Sequence, residues 1–95
     1  MMLMDKSEAQ KVLSEQLGRF SQRSYGELVA LVESAHVEDF EVRGASATTY
    51  QIEVQFFWDD KTRGTVRVVG SIDDGGIRAI VPLTQTFLVS RPVKT

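Results

Sequence analysis

The sequence predicts an α+β fold: one or two N-terminal helices packed on a four-stranded antiparallel β-meander of order 1-2-3-4, in two layers. Three observations predict it. Apolar residues recur at helical spacing through the first third of the chain. Tyr50 to Trp58 then alternates apolar and polar residues without a break. Finally, Asp73-Asp74-Gly75-Gly76 separates two β-type runs, Gly64 to Ile72 and Ile77 to Val89. Asp-Gly at the centre of such a pair is a strong hairpin signal, because a type I′ turn needs φ > 0 at both central residues.

The helical part is expected over residues 5–35. Asp5-Lys6-Ser7-Glu8 reads as a capping box, with Glu8 reaching back to the helix start. Ala9, Val12, Leu13, Leu17 and Phe20 fall on one face, and Lys11, Glu15, Arg19 and Arg23 fall away from it. Ser21 to Ser24 interrupts the stripe. Ser24-Tyr25-Gly26-Glu27 is a second capping box, opening a helix whose apolar face is Tyr25, Leu28, Val29 and Val32. One long kinked helix is the alternative. Gly18 and Gly26 each cost a continuous helix roughly 1 kcal/mol relative to Ala, which favours two helices.

The meander is expected over residues 37–90, with a short tail at 91–95. Phe40 and Val42 alternate with Asp39, Glu41 and Arg43. Gly44 to Ala47 is a loop. Tyr50, Ile52, Val54, Phe56 and Trp58 then alternate with polar residues, so one face is buried and the other solvated. Turning at Asp59 to Arg63 pairs Trp58 with Gly64 and Phe56 with Val66. Taking Asp74-Gly75 as the next turn pairs Ile72 with Ile77, Gly70 with Ala79, Val68 with Val81 and Val66 with Leu83. Both registers bury one face, and a slip by one residue would scatter it. Pro82 cannot donate to a ladder, so the fourth strand should be an edge.

Length and composition bound the function classes. The 95 residues suit one domain over 1–95 with one core. A net charge of -2, with acids and bases scattered, gives no pull toward nucleic acid. There is no cysteine and one histidine, His36, which excludes thiol chemistry and Cys/His metal sites. No apolar run approaches the ~20 residues that span a bilayer, and Asp5-Lys6 ends the apolar Met1-Met2-Leu3-Met4 too early for a secretory segment. These points imply a cytoplasmic protein with no membrane partner, no nucleic-acid partner and no cofactor.

Candidate chemistry is sparse. Asp59-Asp60 and Asp73-Asp74 are paired carboxylates of the kind that bind hard cations. They sit at opposite ends of one strand, roughly 25–30 Å apart, so they read as two turns and not as one site. His36 has no Ser, Cys or Asp partner at a recognisable spacing and reads as a helix-terminal or surface residue. The balance is against an enzyme.

Two groups remain. Phe20, Tyr25, Tyr50 and Trp58 are expected to converge between helices and sheet, as pocket walls or as core. Phe57, Val69, Ile80 and Leu88 fall on the outer sheet face together with Arg43, Arg67 and Arg78, a composition seen at protein interfaces. One exposed aromatic among Asp39, Glu41 and Glu53 is too few for a nucleic-acid platform. In the register above, Thr86, Phe87, Leu88 and Val89 overhang the hairpin as an unpaired apolar edge, which proteins cover.

A helix followed by a four-stranded meander resembles the cystatin-like and nuclear-transport-factor-like architectures in outline. Cystatin inhibitors carry a Gln-x-Val-x-Gly hairpin motif. The nearest stretch, Val66-Arg67-Val68-Val69-Gly70, lacks the Gln and lies within a strand. The resemblance therefore covers the order of elements and transfers no residue or inhibitory role.

The leading expectation is a non-enzymatic protein-interaction domain, a homodimer or a binder of another protein, joined through its final strand or outer sheet face. The competing expectation is a small-ligand binder or small enzyme with an aromatic pocket.

Overall fold

The computed structural model describes residues 6–74 and 83–93. Two helices, α1 (Lys6–Phe20) and α2 (Tyr25–Glu33), pack on one face of a four-stranded antiparallel sheet. Its strands are β1 (Val37–Arg43), β2 (Thr49–Trp58), β3 (Thr65–Asp73) and β4 (Leu83–Ser90), in the order β1-β2-β3-β4.

The break between the helices follows the second capping box. The Ser24 hydroxyl accepts the Glu27 amide at 3.1 Å and satisfies a donor that the helix start leaves open. At the other end of α2 the chain turns out through Ala35, whose φ of 51° lies in the left-handed region. Asp5 lies outside the described residues, and Glu8 reaches across the fold to the β1–β2 loop.

Alternation sets the two faces of the sheet. Tyr50, Ile52, Val54, Phe56, Val66, Val68 and Ile72 are buried against Ala9, Val12, Leu13, Leu17, Phe20 and Leu28. Gly70 sits in the same layer, and a β-carbon there would stand 2.8 Å from Leu17 Cδ2 and 3.0 Å from Leu13 Cδ1. Its missing side chain is what lets α1 lie close on β3. Phe20 packs tilted against Phe56, with ring centroids 5.7 Å apart and planes at 57°.

Both expected registers are corrected. Trp58 pairs with Val66 and Phe56 with Val68, two residues from the expected offset. Ile72 pairs with Leu83, Gly70 with Gln85, Val68 with Phe87 and Val66 with Val89, six residues beyond the expected offset. Gly75 of the expected Asp74-Gly75 turn, the expected partners Ile77, Ala79 and Val81, and Pro82 lie outside the described residues. Both shifts are even, so every residue keeps its face. Phe87 and Val89 therefore add to the inner layer as half-buried residues. The expected overhang of Thr86 to Val89 does not exist: all four pair with β3. β4 is the last strand of the sheet, as expected.

Asp60 explains how the β2–β3 connection is held. Its Oδ1 accepts the amides of Gly64 at 3.0 Å and Thr65 at 3.2 Å, and Oδ2 accepts the Thr62 hydroxyl at 2.7 Å. These donors hold the carboxyl below the usual aspartate range, the Thr62 hydroxyl most strongly. Asp60 is a turn former, as its position in the sequence implies.

Candidate functional site: the open edge and outer face of the sheet

The outer face is built in lateral rows, read from the pairing. One row is Phe57, Arg67 and Leu88. The next is Val37, Gln55, Val69 and Thr86. Beyond these come Asp39, Glu53, Ser71 and Thr84, and then Glu41, Gln51 and Asp73. The face is thus divided. Its apolar end exposes Val37, Phe57 (45%) and Leu88 (55%), with Val69 half-buried among them. Its other end is acidic. Asp39 sits directly opposite Glu53, an arrangement that costs stability in a sheet.

Arg67 stands between Phe57 and Leu88 and is already engaged. Its Nε and Nη2 donate to Asp59 Oδ1 at 2.9 and 2.7 Å. The pair is partly exposed, so its worth lies in orientation more than in stability.

The sheet has two open edges among the described residues, and they differ. β1 carries Glu38, Asp39, Glu41 and Arg43 among seven residues. β4, LTQTFLVS, carries no charge. Along its inner side α1 leaves a groove of about 240 Å³, where Ser14, Gly18 and Ser21 face Gln85 and Phe87. Gln85 bridges the two elements. It accepts from the Ser14 hydroxyl at 2.9 Å and donates to the Gln10 carbonyl at 3.0 Å.

The direction of the β4 backbone follows from one bond. The Arg91 amide donates to the Gly64 carbonyl at 2.9 Å. In an antiparallel ladder, alternate residues turn both backbone groups to the same neighbour. Arg91 turns toward β3, so residues 89, 87, 85 and 83 do as well. Thr84, Thr86, Leu88 and Ser90 turn theirs to the open side. On the other flank of β3, the Asp59 amide donates to the Thr65 carbonyl at 2.8 Å, in the same phase.

The four expected pocket aromatics are not gathered in one place. Tyr50 and Trp58 stand at opposite ends of β2, some 26 Å apart at ~3.3 Å per residue. Tyr50 is fully buried and donates its hydroxyl to Glu8 Oε1 at 2.7 Å. Phe20 is buried against Phe56. Tyr25 donates its hydroxyl to the Gly64 carbonyl at 3.1 Å. Trp58 is half-buried and lines an open groove of about 440 Å³ with Val32, His36, Val37, Phe56 and Phe57. His36 Nε2 lies 2.9 Å from Glu38 Oε1, with its ring 6.3 Å from that of Phe56.

Of the expected interface residues, Phe57, Val69 and Leu88 share the outer face, Phe87 and Val89 turn inward, and Ile80 lies outside the described residues. Sequence reasoning missed the roles of Gln85 and Glu8. Glu8 Oε2 accepts the Ser46 amide at 3.0 Å, and Oε1 accepts the hydroxyls of Ser46 at 2.6 Å and Tyr50. The Ser46 hydroxyl, then Tyr50, holds the Glu8 carboxyl below the usual glutamate range against a smaller opposing effect of burial. Nothing local in the sequence marks a contact across 38 residues.

Among the described residues, no group of three or more His, Asp and Glu side chains is placed to hold a metal ion. No described helix is long and apolar enough to cross a membrane. Comparison with protein-family models, with curated proteins and with solved structures finds no match.

Proposed function

We propose that this chain is a small non-enzymatic protein-interaction domain that self-associates through its sheet. One observation carries the reading. The outer layer ends in an eight-residue strand without a single charge, beside a face that exposes Phe57 and Leu88. Edge strands of stable monomers are usually guarded by charge, proline or a bulge, because their open backbone groups recruit other strands. Exposed apolar residues scattered singly need no explanation, but Val69 lies diagonal to both Phe57 and Leu88, which flank Arg67 in the adjacent row. The interior supports a binding role over a catalytic one. The core is filled by side chains, and no described buried side-chain N or O lacks a partner.

The test is the solution mass by ultracentrifugation from low to high micromolar concentration. Self-association predicts a concentration-dependent rise toward twice the mass of the chain. A monomer throughout contradicts it.

The groove beside Trp58 favours the second reading, a small-ligand binder. Its walls are aromatic and aliphatic, and ligand pockets are mostly apolar. Trp58 is the only tryptophan, so its fluorescence reports on this groove alone. A saturable change with a small aromatic compound would support this reading.

A further inference from the structure

We infer that the second copy adds at β4, antiparallel and edge to edge, so that two sheets become one of eight strands. This rests on the self-association proposed above and names its surface.

The partner is another copy because β4 is complementary to itself. Continuing the sheet requires inner residues to meet inner residues and outer to meet outer, so the two paired residue numbers must sum to an even number. Centring the two-fold axis on Thr86 or on Phe87 satisfies this. About Phe87 the open backbone groups of Thr84, Thr86, Leu88 and Ser90 face one another, and about Thr86 those of Thr84, Thr86 and Leu88 do, so either register can close a ladder. No charge opposes another, since residues 83–90 carry none. β1 fails the same test. Each antiparallel self-register centred on residues 39 to 41 sets an acid against an acid, whether Asp39 on itself, Asp39 on Glu41 or Glu41 on itself.

The inner side of β4 also has room for a partner. In the two registers, the partner's Phe87 or the partner's Val89 lands beside Gln85, at the groove between β4 and Ser14, Gly18 and Ser21 of α1. α1 lies over β3 and β4, with Leu13 and Leu17 over Gly70 and Ser14 on Gln85. Strands are ~4.8 Å apart, so a helix over the β3–β4 gap stands about 5 Å from an axis just beyond β4. The two copies' α1 helices would then run ~10 Å apart, at the upper end of the spacing of packed helices. Gly18 faces this side, and a β-carbon there would meet nothing within 4 Å in the monomer. Among the described residues nothing crowds that position to call for a glycine; an approaching helix would.

Two variants separate the edge from the outer face. Thr86→Pro removes an amide that points to the open side, leaving the β3 ladder intact. Phe57→Glu places a charge in the apolar row of the outer face. Edge pairing predicts that Thr86→Pro weakens association at least tenfold by ultracentrifugation, whereas Phe57→Glu stays within about twofold of the parent chain. Thr86→Lys is the second variant, since it sets like charges together at the axis without constraining the backbone. Association that survives both Thr86 changes but is lost in Phe57→Glu overturns the edge and leaves self-association standing through the outer face. A monomeric parent chain overturns both. Because the chain has no cysteine, Gly18→Cys reports helix proximity cleanly. Oxidative cross-linking of Gly18→Cys but not of Arg19→Cys is expected, and the reverse pattern would contradict the arrangement.

Discussion

Arg91 donates its backbone amide to the carbonyl of Gly64 across 2.9 Å, closing the β3–β4 ladder just beyond the end of β4. That bond fixes the phase of the whole strand. It assigns odd-numbered backbone groups of β4 to β3 and even-numbered ones to the open side. A strand whose side chains look uniform is thereby divided into residues that hold the monomer together and residues that are available to a partner.

The first prediction follows from that division. At concentrations where the chain is monomeric, Thr86→Pro should lower the melting temperature by no more than a few degrees. Val89→Pro should lower it several times further, because Val89 turns toward Val66 and lies partly in the core. Thermal melts of the two variants check this. Equal losses would mean that the phase is wrong.

Gly70 should tolerate no side chain. A β-carbon at that position meets Leu17 Cδ2 at 2.8 Å and Leu13 Cδ1 at 3.0 Å, and both leucines are held in the core. Overpacking of this kind costs ~1–3 kcal/mol. Gly70→Val, which must fit two further carbons, should lose more than Gly70→Ala. Urea denaturation provides the values.

Ala35→Gly should stabilise the chain. Ala35 ends α2 at φ 51°, where a β-carbon is penalised. Relief of that strain is worth about 1 kcal/mol, less the entropy glycine loses on folding. A higher urea midpoint with unchanged slope is the expected outcome.

Stability should fall with acid, and Glu8 should account for part of the fall. Its carboxyl is held below the usual glutamate range by the Ser46 hydroxyl and then by Tyr50. A group whose folded pKa is lowered stabilises the fold above its unfolded pKa, and loses that contribution as pH drops through the folded value. The loss therefore begins as pH falls below ~4.3, the ordinary glutamate value, and Asp60 acts in the same sense from ~3.9 downward. Glu8→Gln should be less stable than the parent chain at pH 7 and should show a shallower decline on acidification. Parallel pH profiles would contradict the role given to Glu8.

The sequence made the faces of the sheet legible and left the offsets undetermined. Period-two alternation states which side of a strand is apolar, and any even shift preserves that statement. Choosing between Ile77 and Leu83 as the partner of Ile72 needs information from elsewhere in the fold. Phe87 and Val89 gain burial in the observed register, and Gln85 gains bonds to Ser14 and Gln10. A polar Gln85 opposite Gly70 looks unfavourable until α1 is laid beside it. The helices were readable because their signals are local: Ser24 and Glu27 are three residues apart. Glu8 matches the pattern of a local cap, and its bonds to Ser46 and Tyr50 come from the tertiary fold. The final strand as read from the sequence begins at Ile77 and so includes Arg78; the uncharged strand, Leu83–Ser90, and the open side of its even residues emerge only with the observed register.

Amide hydrogen exchange at Thr86 and Leu88, followed as protein concentration rises, tests the central claim most directly. Among the described residues neither amide has a strand partner, since both turn away from β3. Edge pairing predicts that their protection grows with concentration, in step with the solution mass, while Phe87 is protected throughout. Fast exchange at Thr86 and Leu88 in a sample whose mass is that of a dimer would contradict it.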